Sequence, residues 1–158
     1  MKKIILSLCF MQFTATAFCQ TITINDLKQL LKCGDADKIL ISKSFKMKVV
    51  KHPHKKKQTL YVINDNTPHA ESIELGADMT SADGTILRDV NYMSVDTNYV
   101  NRIMKQINMA GIELTAKNIE KSRTTYAFDN KKLSGQVVID KVNASENIIQ
   151  LHPKPQQP

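Results

Sequence analysis

Residues 96–111, DTNYVNRIMKQINMAG, are the stretch that decides the fold. Asp96 can accept hydrogen bonds from the first amides of a helix, and Gly111 suits the left-handed conformation that ends one. Between them, apolar residues recur at the three- and four-residue spacing of a helix that buries one face; they are Tyr99, Val100, Ile103, Met104, Ile107 and Ala110. The stretch predicts an amphipathic helix that must pack against another layer.

A similar pattern lies earlier in the chain and predicts a helix over Thr23–Cys33. Thr23 and Asp26 have the spacing of a reciprocal capping box, and Gly34 provides the stop. The apolar face of this helix is formed by Ile24, Leu27, Leu30 and Leu31. Asp35 can then cap a second, shorter helix, whose apolar side is formed by Ala36, Ile39 and Leu40.

After each helical stretch the pattern changes to the two-residue alternation of half-buried strands. Behind the first helix it predicts strands over residues 45–50, 59–63, 71–75 and 86–93, with Asp83-Gly84 as a turn before the last. Behind the second it predicts strands over residues 112–114, 122–128, 133–142 and 147–151. The inward side chains of the last three are predicted to be Tyr126, Phe128, Val137, Ile139, Ile148 and Leu151.

The order helix, glycine stop, several strands therefore occurs twice. It predicts an α+β fold, with helices packed on one face of an antiparallel sheet and two degenerate helix-plus-strands repeats. We expect one domain over residues 20–152, with halves 20–94 and 95–152, and a disordered proline-rich tail over 153–158. This element order is similar to that of tandem-repeat inhibitors with the β-lactamase-inhibitor-protein architecture, and the resemblance implies a protein that covers an enzyme's active cleft.

Residues 1–19 have the parts of a secretory signal peptide in the right order. Lys2 and Lys3 precede an apolar run over residues 4–13, and small residues then lead to Cys19. The run is shorter than the ~20 residues that a permanent transmembrane helix needs. We expect cleavage before Gln20, no transmembrane anchor afterwards, and a periplasmic or secreted product. The segment resembles signal peptides of the Bacteroidetes.

A lipoprotein acylated at Cys19 is the less favoured alternative. Lipoprotein signals place a small residue directly before the acylated cysteine and usually leucine three residues before it. Phe18 and Thr16 occupy those two positions here. Soluble export therefore remains the preferred prediction.

Removal of the signal leaves about 139 residues with Cys33 as the only cysteine, so no intramolecular disulfide is expected. The loss of Lys2 and Lys3 lowers the formal net charge from +7 to +5. This excess suits a partner protein with an acidic surface, and export makes nucleic acid an unsuitable partner.

The densest positive segment predicts an interface and consists of Lys51, His52, His54, Lys55, Lys56 and Lys57. Such a segment can attract an acidic protein surface and speed association. It can also be a charged turn that keeps a sheet edge soluble. The lysines would repel a divalent cation from the two histidines, so no metal site is expected. Catalytic and cofactor motifs are absent from the sequence.

Together these features predict an exported, non-catalytic protein-binding module, of the kind that serves as a periplasmic inhibitor or immunity protein against a toxin or hydrolase. One alternative is an envelope hydrolase that acts on peptidoglycan or another polymer. A second is an accessory protein for envelope or appendage assembly. A deep cleft with converging titratable groups would favour the hydrolase.

Overall fold

The computed structural model describes residues 22–32, 39–40, 47–51, 59–63, 67–143 and 147–154. Two helices are described over their whole length, α1 (Ile24–Leu30) and α2 (Thr97–Met109). The strands are β1 (Met47–Lys51), β2 (Thr59–Ile63), β3 (Glu71–Leu75), β4 (Met79–Thr80), β5 (Ile86–Leu87), β6 (Val90–Ser94), β7 (Thr115–Ile119), β8 (Arg123–Asp129), β9 (Leu133–Asp140) and β10 (Ile148–Pro153). The result is a mixed α+β structure in which antiparallel sheet predominates.

Eight strands form one antiparallel sheet in the order β1-β2-β3-β6-β10-β9-β8-β7, and β4 and β5 form a separate two-stranded sheet. The main sheet contains two four-stranded meanders, one behind each described helix. The last strand of each meander lies at the centre, where β6 and β10 pair with Tyr92 opposite Ile149. The two meanders are thus arranged about the central strand pair as if by a two-fold axis.

The predicted caps of both helices are confirmed. The Thr23 amide donates to Asp26 Oδ2 at 2.9 Å and the Asp26 amide donates to Thr23 Oγ1 at 3.3 Å, which completes the capping box. Asp96 Oδ1 accepts from the Asn98 amide at 2.8 Å, and Gly111 has the positive φ of 72° that a helix stop favours. All of these interactions are local in the chain, and they mark the start of both helices and the end of α2.

The core follows a row of side chains that lie directly opposite one another on neighbouring strands. The row is Tyr61, Ile73, Tyr92, Ile149 and Val137, and all five are buried. The same core contains fully buried side chains from the helices, namely Leu27, Leu30, Val100, Ile103 and Ile107. Both helices contact β6 and each other, and α2 also contacts β9. Each buried aliphatic side chain contributes roughly 1.5–3 kcal/mol of transfer free energy.

Gly135 in β9 is required by the close approach of its neighbours. It lies opposite Phe128 on β8 and Leu151 on β10. A Cβ at this position would lie 2.1 Å from the Gln150 carbonyl oxygen and 2.6 Å from Phe128 Cζ. The buried Phe128 ring therefore occupies the space that a side chain at residue 135 would need.

Several sequence predictions differ from the structure. The single strand predicted over 86–93 is wrong, because Ile86–Leu87 pairs with β4 and only Val90–Ser94 joins the main sheet. Ile149 is buried on the core face in place of Ile148, since residues 148 and 151 of one strand point to opposite faces. β7 begins at Thr115, just after the predicted 112–114, and β10 continues through Pro153.

Predictions for residues 1–21, Cys33, Gly34, Asp35 and Phe45 lie outside the described residues.

Candidate functional site

The connection between β3 and β6 is a hairpin with its own small sheet, here called the 76–89 hairpin. Its base is closed by a hydrogen bond from the Gly76 amide to the Asp89 carbonyl at 2.9 Å. Above the base, Arg88 forms an ion pair with Asp78 at 3.0 Å, and β4 and β5 pair along the stem. The Arg88 amide also donates to the Leu31 carbonyl at 3.1 Å, which joins the hairpin to the end of α1.

The tip of the 76–89 hairpin holds an ionised carboxylate in a fixed position. Asp83 accepts hydrogen bonds from the Ser81 hydroxyl and from the Thr85 amide, the latter at 3.0 Å. These donors, with the Ser81 hydroxyl first, lower the pKa of Asp83 from 3.8 to about 2. Gly84 takes the positive φ of 81° that the turn needs. The tip therefore presents a negative charge across the whole physiological pH range.

Apolar side chains flank this charged tip on the stem of the hairpin. Met79 is 46% exposed and Ile86 is 42% exposed. Because Met79 lies opposite Leu87 and Ile86 lies opposite Thr80, the two exposed side chains are on opposite faces of the ribbon. Large apolar groups around a rigid charged turn are typical of a segment that is buried when a partner binds.

A second polar cluster lies at the other end of the sheet, where α2 begins. Glu71 is buried at 2% exposure and accepts a hydrogen bond from the Tyr92 hydroxyl at 2.5 Å. Burial raises the pKa of Glu71, and burial together with the neighbouring carboxylate raises the pKa of Tyr92. Above this pair, His69 Nδ1 lies 2.9 Å from Asp96 Oδ2. Because the Glu71–Tyr92 pair is inaccessible, we interpret it as part of the packing of the fold.

A third group lies on the side of the sheet opposite to the core row. His152 Nδ1 lies 3.0 Å from Asp89 Oδ1, and Ser134 is directly opposite His152 on the neighbouring strand. Ser134 and His152 both line a cavity of about 610 Å³. The side chains of His152 and Asp89 are 44% and 42% exposed, so water screens their interaction.

The interface predicted from the sequence lies almost entirely outside the described residues. Lys51 is the last residue of β1, and His52, His54, Lys55, Lys56 and Lys57 follow it in the undescribed segment. The register pairs Lys51 with Thr59 and Thr59 with Leu75, the residue that precedes the 76–89 hairpin. The strands flanking the basic segment therefore end at the same end of the sheet as the hairpin, called below the hairpin end.

Sequence reasoning predicted the turn at Asp83-Gly84 but not the hairpin around it. The missed signal is the pair of apolar residues Met79 and Ile86, one on either side of that turn. Two residues per strand are too few for the alternation of polar and apolar positions to be visible.

Within the described ranges no cluster of three or more His, Cys, Asp or Glu side chains is suited to a metal ion. Neither α1 nor α2, nor any other helical part described, has the length and apolar character of a membrane span.

The chain was also compared with known proteins. The models of known protein families, the curated proteins and the solved structures contain no match to this chain.

Proposed function

We propose that this chain is an exported, non-catalytic protein-binding module, a periplasmic inhibitor or immunity protein that covers the cleft of a toxin or hydrolase. The observation that carries the proposal is the 76–89 hairpin. It combines a self-braced backbone, an ionised tip at Asp83 and exposed apolar side chains at Met79 and Ile86. A preformed segment of this kind loses little conformational entropy on binding, and this saving favours high affinity.

Charge supports the same partner class. β1 ends at Lys51, the first residue of the basic segment, at the same end of the sheet as the hairpin that carries Asp83. An enzyme with a cationic cleft inside an acidic rim would be complementary to the acidic hairpin tip and to the basic segment. The lysines would accelerate the encounter, and Asp83 would fix the orientation of the bound hairpin.

We also infer that both helices cover one face of the main sheet and that the chain is a duplicated helix-plus-four-strands unit. The inference is supported by the shared core of helix residues and the Ile73–Tyr92–Ile149 row, and by the mirrored strand order around β6 and β10. In this arrangement the hairpin is an addition to the first unit only. Residues added outside a repeated framework are free to be selected for binding.

The test uses the exported chain, purified from its native periplasm together with its bound partner, which mass spectrometry identifies. We expect an enzyme whose activity falls when the chain is added in excess. Met79→Ser with Ile86→Ser should weaken the complex by roughly 2 kcal/mol or more, as expected for central interface residues. Asp83→Asn, which keeps the turn geometry but removes the charge, should weaken it by a smaller amount.

Val142→Ser is the matched control, since Val142 is an 84% exposed apolar side chain on the corresponding connection of the second half. It should leave the dissociation constant unchanged. Calorimetry gives the affinities, and thermal melts followed by circular dichroism establish that all variants fold. Equal affinity of the Met79/Ile86 variant and the Val142 variant would refute the role of the hairpin.

A second candidate function, the envelope hydrolase, is favoured by one observation, the Asp89–His152–Ser134 group. Asp89 orients the His152 ring, and the serine lies across the strand pair as a potential nucleophile. Among the described residues no hydrogen bond joins His152 to Ser134, and the side chains of Asp89 and His152 both face water. Release of soluble fragments from peptidoglycan by the wild-type chain, and its loss in Ser134→Ala, would favour this candidate over the inhibitor.

A further inference from the structure

A groove of about 760 Å³ lies at the hairpin end of the core, between the last turns of both helices and the turn that joins β8 to β9. Its walls are formed by apolar residues, namely Leu31, Ile39, Ala110, Ile112, Leu133 and Pro153. This volume lies within the usual range of small-molecule sites. The groove is thus large enough for the apolar part of a ligand.

Three lysines, Lys28, Lys32 and Lys132, also line the groove, and amide side chains complete the lining. Among the described residues that line the groove, none carries a carboxylate. Within the described ranges, none of the three lysine side chains forms an ion pair or hydrogen bond. Three unpaired ammonium groups around apolar walls favour a ligand with a negative head and an apolar body.

We propose that the groove binds a single-chain anionic amphiphile, with the acyl chain along the apolar part of the lining and the head group on the three lysines. Carboxylate and phosphate heads share the required chemistry, so a free fatty acid and a monoacyl phospholipid are both possible sources. This binding is separate from the protein-binding function proposed above, since the groove and the stem of the 76–89 hairpin share no residue.

The experiment titrates the purified exported chain with dodecanoate and with dodecyl phosphate by calorimetry below their micelle concentrations. We expect saturable binding at one site and affinity that rises with chain length from butyrate to dodecanoate, because each added methylene buries apolar area. The head group with the higher affinity identifies the source. Dodecyltrimethylammonium has a chain of the same length and a positive charge, and it should not bind.

A triple variant without the three groove lysines should weaken dodecanoate binding roughly tenfold or more. It carries Lys28→Gln, Lys32→Gln and Lys132→Gln. The control carries the same loss of charge on exposed lysines away from the groove, as Lys105→Gln, Lys121→Gln and Lys141→Gln, and should bind as the wild type does. Equal binding of the cationic amphiphile, equal loss in both triple variants, or no saturable binding would overturn the proposal. The Met79/Ile86 variant should retain full dodecanoate binding, which separates this test from that of the hairpin.

Discussion

The two halves of the chain build the same meander but connect its third and fourth strands differently. In the first half this connection is the 76–89 hairpin, with its own sheet and an exposed tip. In the second half it is residues 141–147, and Asp140 Oδ1 accepts from the Val142 and Asn143 amides at 2.8 Å each. Asn147 then returns to donate to Thr97 Oγ1 at 3.0 Å. Both connections are hydrogen-bonded to the framework, the hairpin through the Arg88 amide and the Leu31 carbonyl at 3.1 Å, but only the hairpin has a sheet of its own and an exposed tip. This difference is the reason that we expect binding at the hairpin.

The largest difference between the halves is expected at two glycines, Gly135 within β9 and Gly76 directly after β3. Gly135→Ala should lower the free energy of unfolding by about 3 kcal/mol, because a backbone oxygen 2.1 Å from the new Cβ cannot move without disturbing the sheet. Gly76→Ala in the first half brings its Cβ no closer than 3.2 Å, to Asp89 Cβ, and should cost much less. Urea unfolding followed by circular dichroism measures both. Equal losses would mean that the strands shift enough to move the Gln150 carbonyl and the Phe128 ring away from the new Cβ.

A smaller effect is expected at the buried acid of the first half. Tyr92→Phe removes the donor to Glu71 and should cost about 2 kcal/mol at neutral pH, the usual penalty for an unpaired buried polar group. In the second half, hydrogen bonds from the Asn143 and Val142 amides lower the pKa of Asp140, so the stability that this group contributes is lost as pH falls. The raised pKa of Glu71 in the first half should give a pH dependence in the opposite direction.

The direction of this pH dependence follows from the raised pKa of Glu71. A carboxyl group with a higher pKa in the folded than in the unfolded state binds more protons when folded, so stability falls as pH rises above the ordinary value of 4.5. Glu71→Gln should remove this decline and stabilise the protein at pH 7.5 more than at pH 4. Urea midpoints at the two pH values test it. A larger gain at pH 4 would contradict the assignment.

The smallest effects are expected at the two helix starts. Thr23→Ala and Asp96→Ala each remove an N-cap and should cost about 1 kcal/mol. The loss should be greater for α1, because this helix is only seven residues long and its box satisfies two amides at once. Thr23→Ser and Asp96→Asn are the conservative controls and should change stability by only a few tenths of a kcal/mol. A greater loss at Asp96 would indicate that its interaction with His69 outweighs the cap.

The framework was predictable where local chemistry decides structure. Residue types and their spacing alone predict both helix caps, the end of α2 and two of the strands. These features are the caps at Thr23 and Asp96, the stop at Gly111 and the strands over 59–63 and 71–75. The sequence does not determine by local rules which strands meet at the centre. The β6–β10 pair joins residues near Tyr92 and Ile149, and their preference for each other depends on the assembled core.

The candidate sites were less predictable for a related reason. The groove draws its lysines from α1 and from the β8–β9 turn, far apart in the chain, so no local pattern marks it. The interface around Lys51 was predicted from the density of charged residues. That density describes the composition of a segment but not the shape of the surface that the segment forms. The 76–89 hairpin depends on hydrogen bonds around Asp83 whose partners are only two residues apart, and such turns are common in loops without a function.

The central position of β10 has a consequence for biogenesis. β10 is synthesised after the other nine strands, yet it fills the middle of the sheet. Until it arrives, β6 and β9 each expose a bare edge with unpaired amides and carbonyls, and such edges promote aggregation. The nascent chain therefore needs either a chaperone or rapid delivery of residues 148–153, and a stop codon just before Ile148 should yield insoluble protein although most of the polypeptide has been made.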